Sequence, residues 1–160
     1  MIFFFNTRPI KLSKRSCGQR ENTSRNKMLT RLPDWQKRLS DLIVSRMQKP
    51  FVWGSNDCCL FAADAVLAVT GVDLARDERG RYGDRAGSQS VLKGVGGLFG
   101  AAGRAGTRID PSRAIEGDVG LVRVGKPVLA VRISHVWMAP AAWGLNAMPV
   151  AVVAWGIGHA

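Results

Sequence analysis

Asp57-Cys58-Cys59-Leu60-Phe61-Ala62-Ala63-Asp64-Ala65-Val66-Leu67-Ala68-Val69-Thr70-Gly71 is apolar almost all round, with Asp64 the exception inside it. A helix of that kind has no face to give to water, so the run predicts a central, buried helix. Asn56 or Asp57 suits its N-cap. Gly71 suits the left-handed residue that closes a C-terminus. The preceding Phe51-Val52-Trp53-Gly54-Ser55-Asn56 reads as a loop with two aromatics and a turn cluster.

Outward from that helix the period changes. Before it, Pro33-Asp34-Trp35 opens an amphipathic helix that Lys49-Pro50 ends. Trp35, Leu39, Leu42, Ile43 and Met47 share its apolar face. After it, Arg76–Asp84 is a charged loop, and Ser88–Leu98 predicts a helix weakened by Gly94, Gly96 and Gly97. A short Ala/Gly helix follows over Leu98–Ala105. Then β-branched runs take over. Asp118–Val124 and Val128–Ser134 flank the hairpin signal Gly125-Lys126-Pro127, and Val136–Ala139 and Val150–Ile157 add two more strands. Helices first and an antiparallel sheet second predict an α+β domain, N-terminal helices packed on a C-terminal sheet.

The 160 residues fit one domain, since domains run ~100–200 residues. The folded pattern spans 28–160. No apolar run approaches the ~18 residues a membrane span needs. The net charge of +11 is unevenly held. Residues 1–27 carry seven basic side chains and one acid, so the body is only mildly basic and nucleic acid is disfavoured as a partner. This segment lacks helix or strand period. It reads as an inert disordered tail, as a mis-called start with Met28 the true one, or as a basic arm. Its Met1–Phe5 apolar burst precedes the charges, the reverse of a signal peptide.

Cys17, Cys58 and Cys59 are an odd set, two of them adjacent. With no export signal, they point to reduced thiols and a cytoplasmic site of synthesis. There is no Cys-x-x-Cys, and His135 and His159 lack ligand spacing, so neither a metal site nor a cofactor is expected. His159 is expected at a frayed end. A cysteine in the first turn of a helix meets unpaired N–H groups and the positive end of the dipole, which favour thiolate. The competing reading is two small apolar residues packing a helix end.

Trp53-Gly54 followed by Asp57-Cys58 at the start of an apolar helix resembles the NlpC-type, papain-like cell-wall peptidase family. That family shows an aromatic-x-Trp-Gly segment, an Asp-Cys helix start and a later Gly-Asp entering the sheet, here Gly117-Asp118. The layout is closer still to an uncharacterised phage- and prophage-associated branch, with Asp57-Cys58-Cys59, Arg79-Gly80-Arg81-Tyr82 and the Ala154-Trp155 ending. The resemblance implies a papain-like core and Cys58 as nucleophile. It makes Asp57 a capping and orienting group, with Trp53 and Gly54 at the cleft mouth. It implies phage tail or particle proteins, or peptidoglycan, as partners, and incorporation into a phage-like particle.

The departure lies in the base. Active members carry a histidine near the start of the strand after the hairpin, which falls at about Val128 to Ala130. His135 is some six residues later, ~20 Å of strand. Two readings stand: a non-catalytic member acting in tail or particle assembly, and a cysteine peptidase or amidase with Cys58 as nucleophile and His135 as base. Trp35 and Trp155 read as core, and Trp137 and Trp143 as core or a partner surface. Asp64, seven residues after Asp57 on the same side of the helix, is expected to pair with an arginine of Arg76–Arg85.

Overall fold

The computed structural model describes residues 29–159. Cys17 and the basic segment 1–27 lie outside the described residues. The chain runs α1 (Trp35–Arg46), α2 (Cys58–Thr70), α3 (Arg85–Gly94), α4 (Gly97–Gly103), β1 (Thr107–Ile109), β2 (Val119–Val124), β3 (Lys126–Ile133), β4 (Val136–Ala141), β5 (Gly144–Met148) and β6 (Val153–Gly156). The strands form one sheet in the order β1-β6-β2-β3-β4-β5, every neighbour antiparallel. The domain is α+β, helices before sheet.

α2 is the central helix, for the reason its composition gives. Phe61, Ala65, Val66 and Val69 pack against Val119, Leu121, Leu129 and Val131 of the sheet. Each large side chain buried there contributes ~1.5–3 kcal/mol, so truncating Phe61 removes transfer energy and leaves a void besides. Asp57 is the cap: its Oδ1 accepts from the N–H of Cys59 and of Leu60. Gly71 closes the helix at φ 76°, donating its N–H to Leu67 O. α1 lays Leu39 into the same core, with Trp35, Leu42 and Ile43 half-buried beside it. Met47, expected on that face, falls past the helix end and is exposed.

The sheet alternates as a two-residue period requires. Leu129 and Val131 face α2, while Ala130 faces the opposite side with Val122, Trp137, Ala139 and Ala154. Trp137 is therefore core and not a partner surface. Its ring fills the space over Gly120, where an added Cβ would come within 2.6 Å of it. Trp143 is the contrasting case, 90% exposed at the turn between β4 and β5.

Several placements differ from the sequence reading, among them the end of α3, at Gly94 rather than Leu98, and the start of β6, at Val153 rather than Val150. α3 begins at Arg85, not Ser88, because Asp84 caps it by accepting from Gly87 N. β1 is an edge strand of three residues, too short for an alternation to register. β5, Gly144-Leu145-Asn146-Ala147-Met148, has no β-branched residue, and only its pairing with β4 makes it a strand. Among the described residues no helix is long and apolar enough to cross a membrane.

Candidate functional site

The loop before α2 is built around one buried carboxylate. Asp57 is 1% exposed and takes four donors. Cys59 N–H and Leu60 N–H reach its Oδ1 at 3.0 Å each. Gly54 N–H and the Tyr82 hydroxyl reach its Oδ2 at 2.9 and 2.6 Å. All four are neutral groups, so the carboxylate is fully hydrogen-bonded but its charge has no cationic neighbour among them. Burial, and then the bond to Asp57, push the Tyr82 phenol well above its ordinary pKa. The hydroxyl is therefore a fixed donor. Gly54 is obligatory, at φ +74° with its would-be Cβ 1.8 Å from the Tyr82 carbonyl oxygen. The Trp-Gly loop and the Arg-Gly-x-Tyr loop are thus pressed together around Asp57. Trp53 stacks edge-on against Phe51, ring centres 4.8 Å apart.

Asp64 holds a second network about two turns along α2 from Asp57. Its Oδ1 accepts from Arg79 at 2.7 Å and its Oδ2 from Arg46 at 2.6 Å. The partner expected from Arg76–Arg85 is Arg79. Arg46, from α1, is the partner the sequence did not offer, since nothing local links residues eighteen apart. Arg79 also binds Asp73, and that bond holds the Asp73 carboxyl below its ordinary range. Arg46 reaches on to the Asn56 side chain, whose amide in turn donates to the carbonyls of Lys49 and Pro50. Residues 79–82 therefore clamp both acids of α2, Asp64 by Arg79 and Asp57 by Tyr82.

The two thiols are half-buried, with their sulfurs 3.9 Å apart. Cys58 is the first residue of α2. Its pKa is lowered, first by a hydrogen bond from the Cys59 thiol and also by the backbone N–H of Leu129 on β3, against the opposing effects of burial and Asp57. The Cys59 thiol is raised, because it donates to Cys58 and is itself buried. Cys58 is the sulfur that carries charge first, and Cys59 is its proton-bearing partner. The second donor, Leu129 N–H, breaks the symmetry between them.

The group facing Cys58 from the sheet is Leu129, 2% exposed. No imidazole stands there. His135 is exposed in the two-residue turn between β3 and β4, six residues on from Leu129. At ~3.3 Å rise per residue that is ~20 Å of strand, beyond the reach of a ring to the Cys58 sulfur. The structure brings Cys58 and Asp57 together with Gly54, and leaves His135 at the far end of β3.

His159 is not a frayed end. Its Nε2 lies 2.9 Å from both oxygens of Asp118, the aspartate of Gly117-Asp118. Asp118 is fully buried and also accepts from Arg31 Nη2, Ile157 N–H and Ile115 N–H. Arg31 donates besides to the carbonyls of Glu116 and Ile157. This cluster ties the segment before α1, the entry to β2 and the last described residues together. Gly-Asp here is a structural pin. Proximity to an Asp 41 residues earlier has no signature in the sequence near His159. Tyr82 was visible, as the only tyrosine of the chain, but its partner was not. No group of three or more His, Cys, Asp or Glu placed to hold a metal ion occurs among the described residues.

These features define a class: an α+β domain whose central helix starts on a capped two-cysteine turn facing an antiparallel sheet. Residues 30–157 match the model of a domain of unknown function, DUF6950. The chain belongs to that family. Comparison with curated proteins and with solved structures finds no match.

Proposed function

We propose that this is an NlpC-type, papain-like domain of a phage- or prophage-related protein that keeps the thiol of that fold without a hydrolase's base, and that it acts in tail or particle assembly. One observation carries the reading. The strand position opposite Cys58 is Leu129, which offers a backbone N–H and an aliphatic side chain where a general base would have to stand. A Cys–His system needs thiol and ring within hydrogen-bond reach, ~2.6–3.2 Å. A thiolate favoured by a neighbouring thiol, an amide and a helix start has reactivity without a proton acceptor for turnover.

A specific observation favours the second reading, a cysteine peptidase or amidase acting on peptidoglycan: the lowered pKa of Cys58. The two are separated by measuring the pH profile of alkylation alongside hydrolysis of peptidoglycan fragments. Both are run on the full chain, its Cys58→Ser variant and a Leu129→His variant. The assembly reading expects Cys58 to alkylate well below the pH at which a free cysteine (pKa ~8.5) does, with no release of peptide fragments. Fragment release by the natural chain that vanishes in Cys58→Ser would establish the hydrolase instead. Release by Leu129→His alone would show that the base is all that is missing. In assembly, the expected outcome is the chain co-sedimenting with assembled phage-like particles, and its absence from them counts against that role.

A further inference from the structure

A cleft with about 70 Å³ of room opens between α2, α3 and α4, floored by β2 and β3. Ala62 and Val66, Leu92, Ala102, and Val119 and Leu129 supply its walls. Protein interiors pack at the density of organic crystals, with few voids larger than a water molecule, and about 70 Å³ is several times the ~10–15 Å³ that one water needs. It persists here because several wall positions on the helices are alanines, too short to meet across it. That is less than the ~300–1,000 Å³ typical of small-molecule sites, so only a slender guest fits, on a wall that is likewise mostly apolar with a few polar groups.

The polar groups of the wall decide what can enter. Tyr82 is committed to Asp57 through its hydroxyl. Cys59 keeps its proton, since its pKa is raised. Glu78 is bound through Oε1 to Arg104 at 2.9 Å, and its Oε2 is shielded from solvent with no hydrogen-bond partner. The Glu78–Arg104 pair is neutral, so the wall has no spare cation to receive an anion. A guest carboxylate would lie against a carboxylate oxygen already short of donors and would lose its own water. An alkyl chain suits the rest of the surface, and a hydroxyl or amide N–H suits Glu78 Oε2. We propose that this cavity binds an uncharged aliphatic molecule bearing at most a hydroxyl or amide group. Occupancy does not depend on whether Cys58 acts chemically.

The test is methyl NMR of the full chain titrated with octanol, octanamide and octanoate. The expected result is saturable shifts at the Leu92, Val95 and Leu129 methyls with octanol and octanamide, accompanied by a rise in Tm. Val124, exposed at the end of β2, serves as the unmoved reference. Octanoate is expected to bind at least several-fold more weakly, with the difference narrowed in Glu78→Gln. Ala63→Phe, which fills the cavity from α2, is expected to abolish the shifts. Val91→Phe, from α3, does the same should Ala63→Phe not fold. No saturable shift with either neutral probe would overturn the site. Equal binding of octanoate would overturn the selectivity, and shifts that survive in both filled variants would place the ligand elsewhere. The titration repeated in Cys58→Ala is expected to be unchanged, so its outcome is separate from that of the thiol assays.

Discussion

Two buried aspartates divide the work of this domain. Asp57 and Asp118 each take at least four donors, and each belongs to a two-residue signature, Asp57-Cys58 and Gly117-Asp118. Their partners differ in kind. Asp118 is met by a guanidinium and an imidazole, drawn from opposite ends of the described chain. Asp57 is met by three amides and a phenol, all but the phenol within three residues of it. One carboxylate anchors distant segments through charge. The other shapes a loop and leaves its own charge beside a thiol, which it pushes toward the protonated form. Similar burial therefore does not mean similar duty. The identity of the donors tells a fold anchor from a site scaffold.

Breaking the anchor is expected to have the largest effect. Asp118→Ala strands the Arg31 guanidinium and two backbone N–H groups, and losing one partner of a buried ion pair typically costs ~3–5 kcal/mol. Urea denaturation should show that loss, and a change under ~1 kcal/mol would mean water replaces the carboxylate freely. On the scaffold side, Gly54→Ala forces a Cβ into the Tyr82 carbonyl at a left-handed φ. Backbone strain alone is ~1–3 kcal/mol, so a fall in Tm is expected, together with altered thiol reactivity as the two loops part. Tyr82→Phe removes one donor from Asp57 and should cost ~1 kcal/mol.

The substitutions that read the charge directly sharpen the comparison most. Asp57→Asn retains a capping side chain but removes the negative charge that opposes the Cys58 thiolate. The Cys58 alkylation profile should move to lower pH, with a fall in Tm besides, because the amide nitrogen cannot accept from Gly54 N–H as Oδ2 does. Cys59→Ala removes the donor that most lowers the Cys58 pKa, so the profile should move to higher pH. Cys59→Ser, which still carries a donor, should move it less. The sign follows from the proton balance. A thiol lowered in the folded state is charged over the window between its folded and its free pKa, so losing the donor closes that window from below. A profile unmoved by Cys59→Ala would mean that the two sulfurs are not coupled.

How much of this was legible in the sequence depends on distance along the chain. The α2 boundaries, a cap at Asn56 or Asp57 and the closure at Gly71 rest on residues within the helix or next to it, and they were readable; the structure chose Asp57. So were the β2–β3 hairpin and the α+β order, because a change from helical to two-residue period is a local signal. Asp64 was assigned an arginine from the right loop, since a buried acid on an apolar helix needs one. The partners from farther off were not readable. Arg46 on Asp64, Tyr82 on Asp57 and His159 on Asp118 each require the fold before the two groups meet.

The sequence by itself determined a buried helix opening on two cysteines, placed before an antiparallel sheet. Periodicity and capping are properties of neighbours in the chain, and they need no tertiary contact to be read. Only the tertiary structure decided what faces those cysteines. It set Leu129 against Cys58, left His135 at the far turn of β3, and gave Gly117-Asp118 a structural role by bringing Arg31 and His159 to it. Which side chain crosses to a thiol depends on the register of one strand over one helix start. A shift of a single residue would turn a different face toward it, so composition and spacing alone cannot specify that contact.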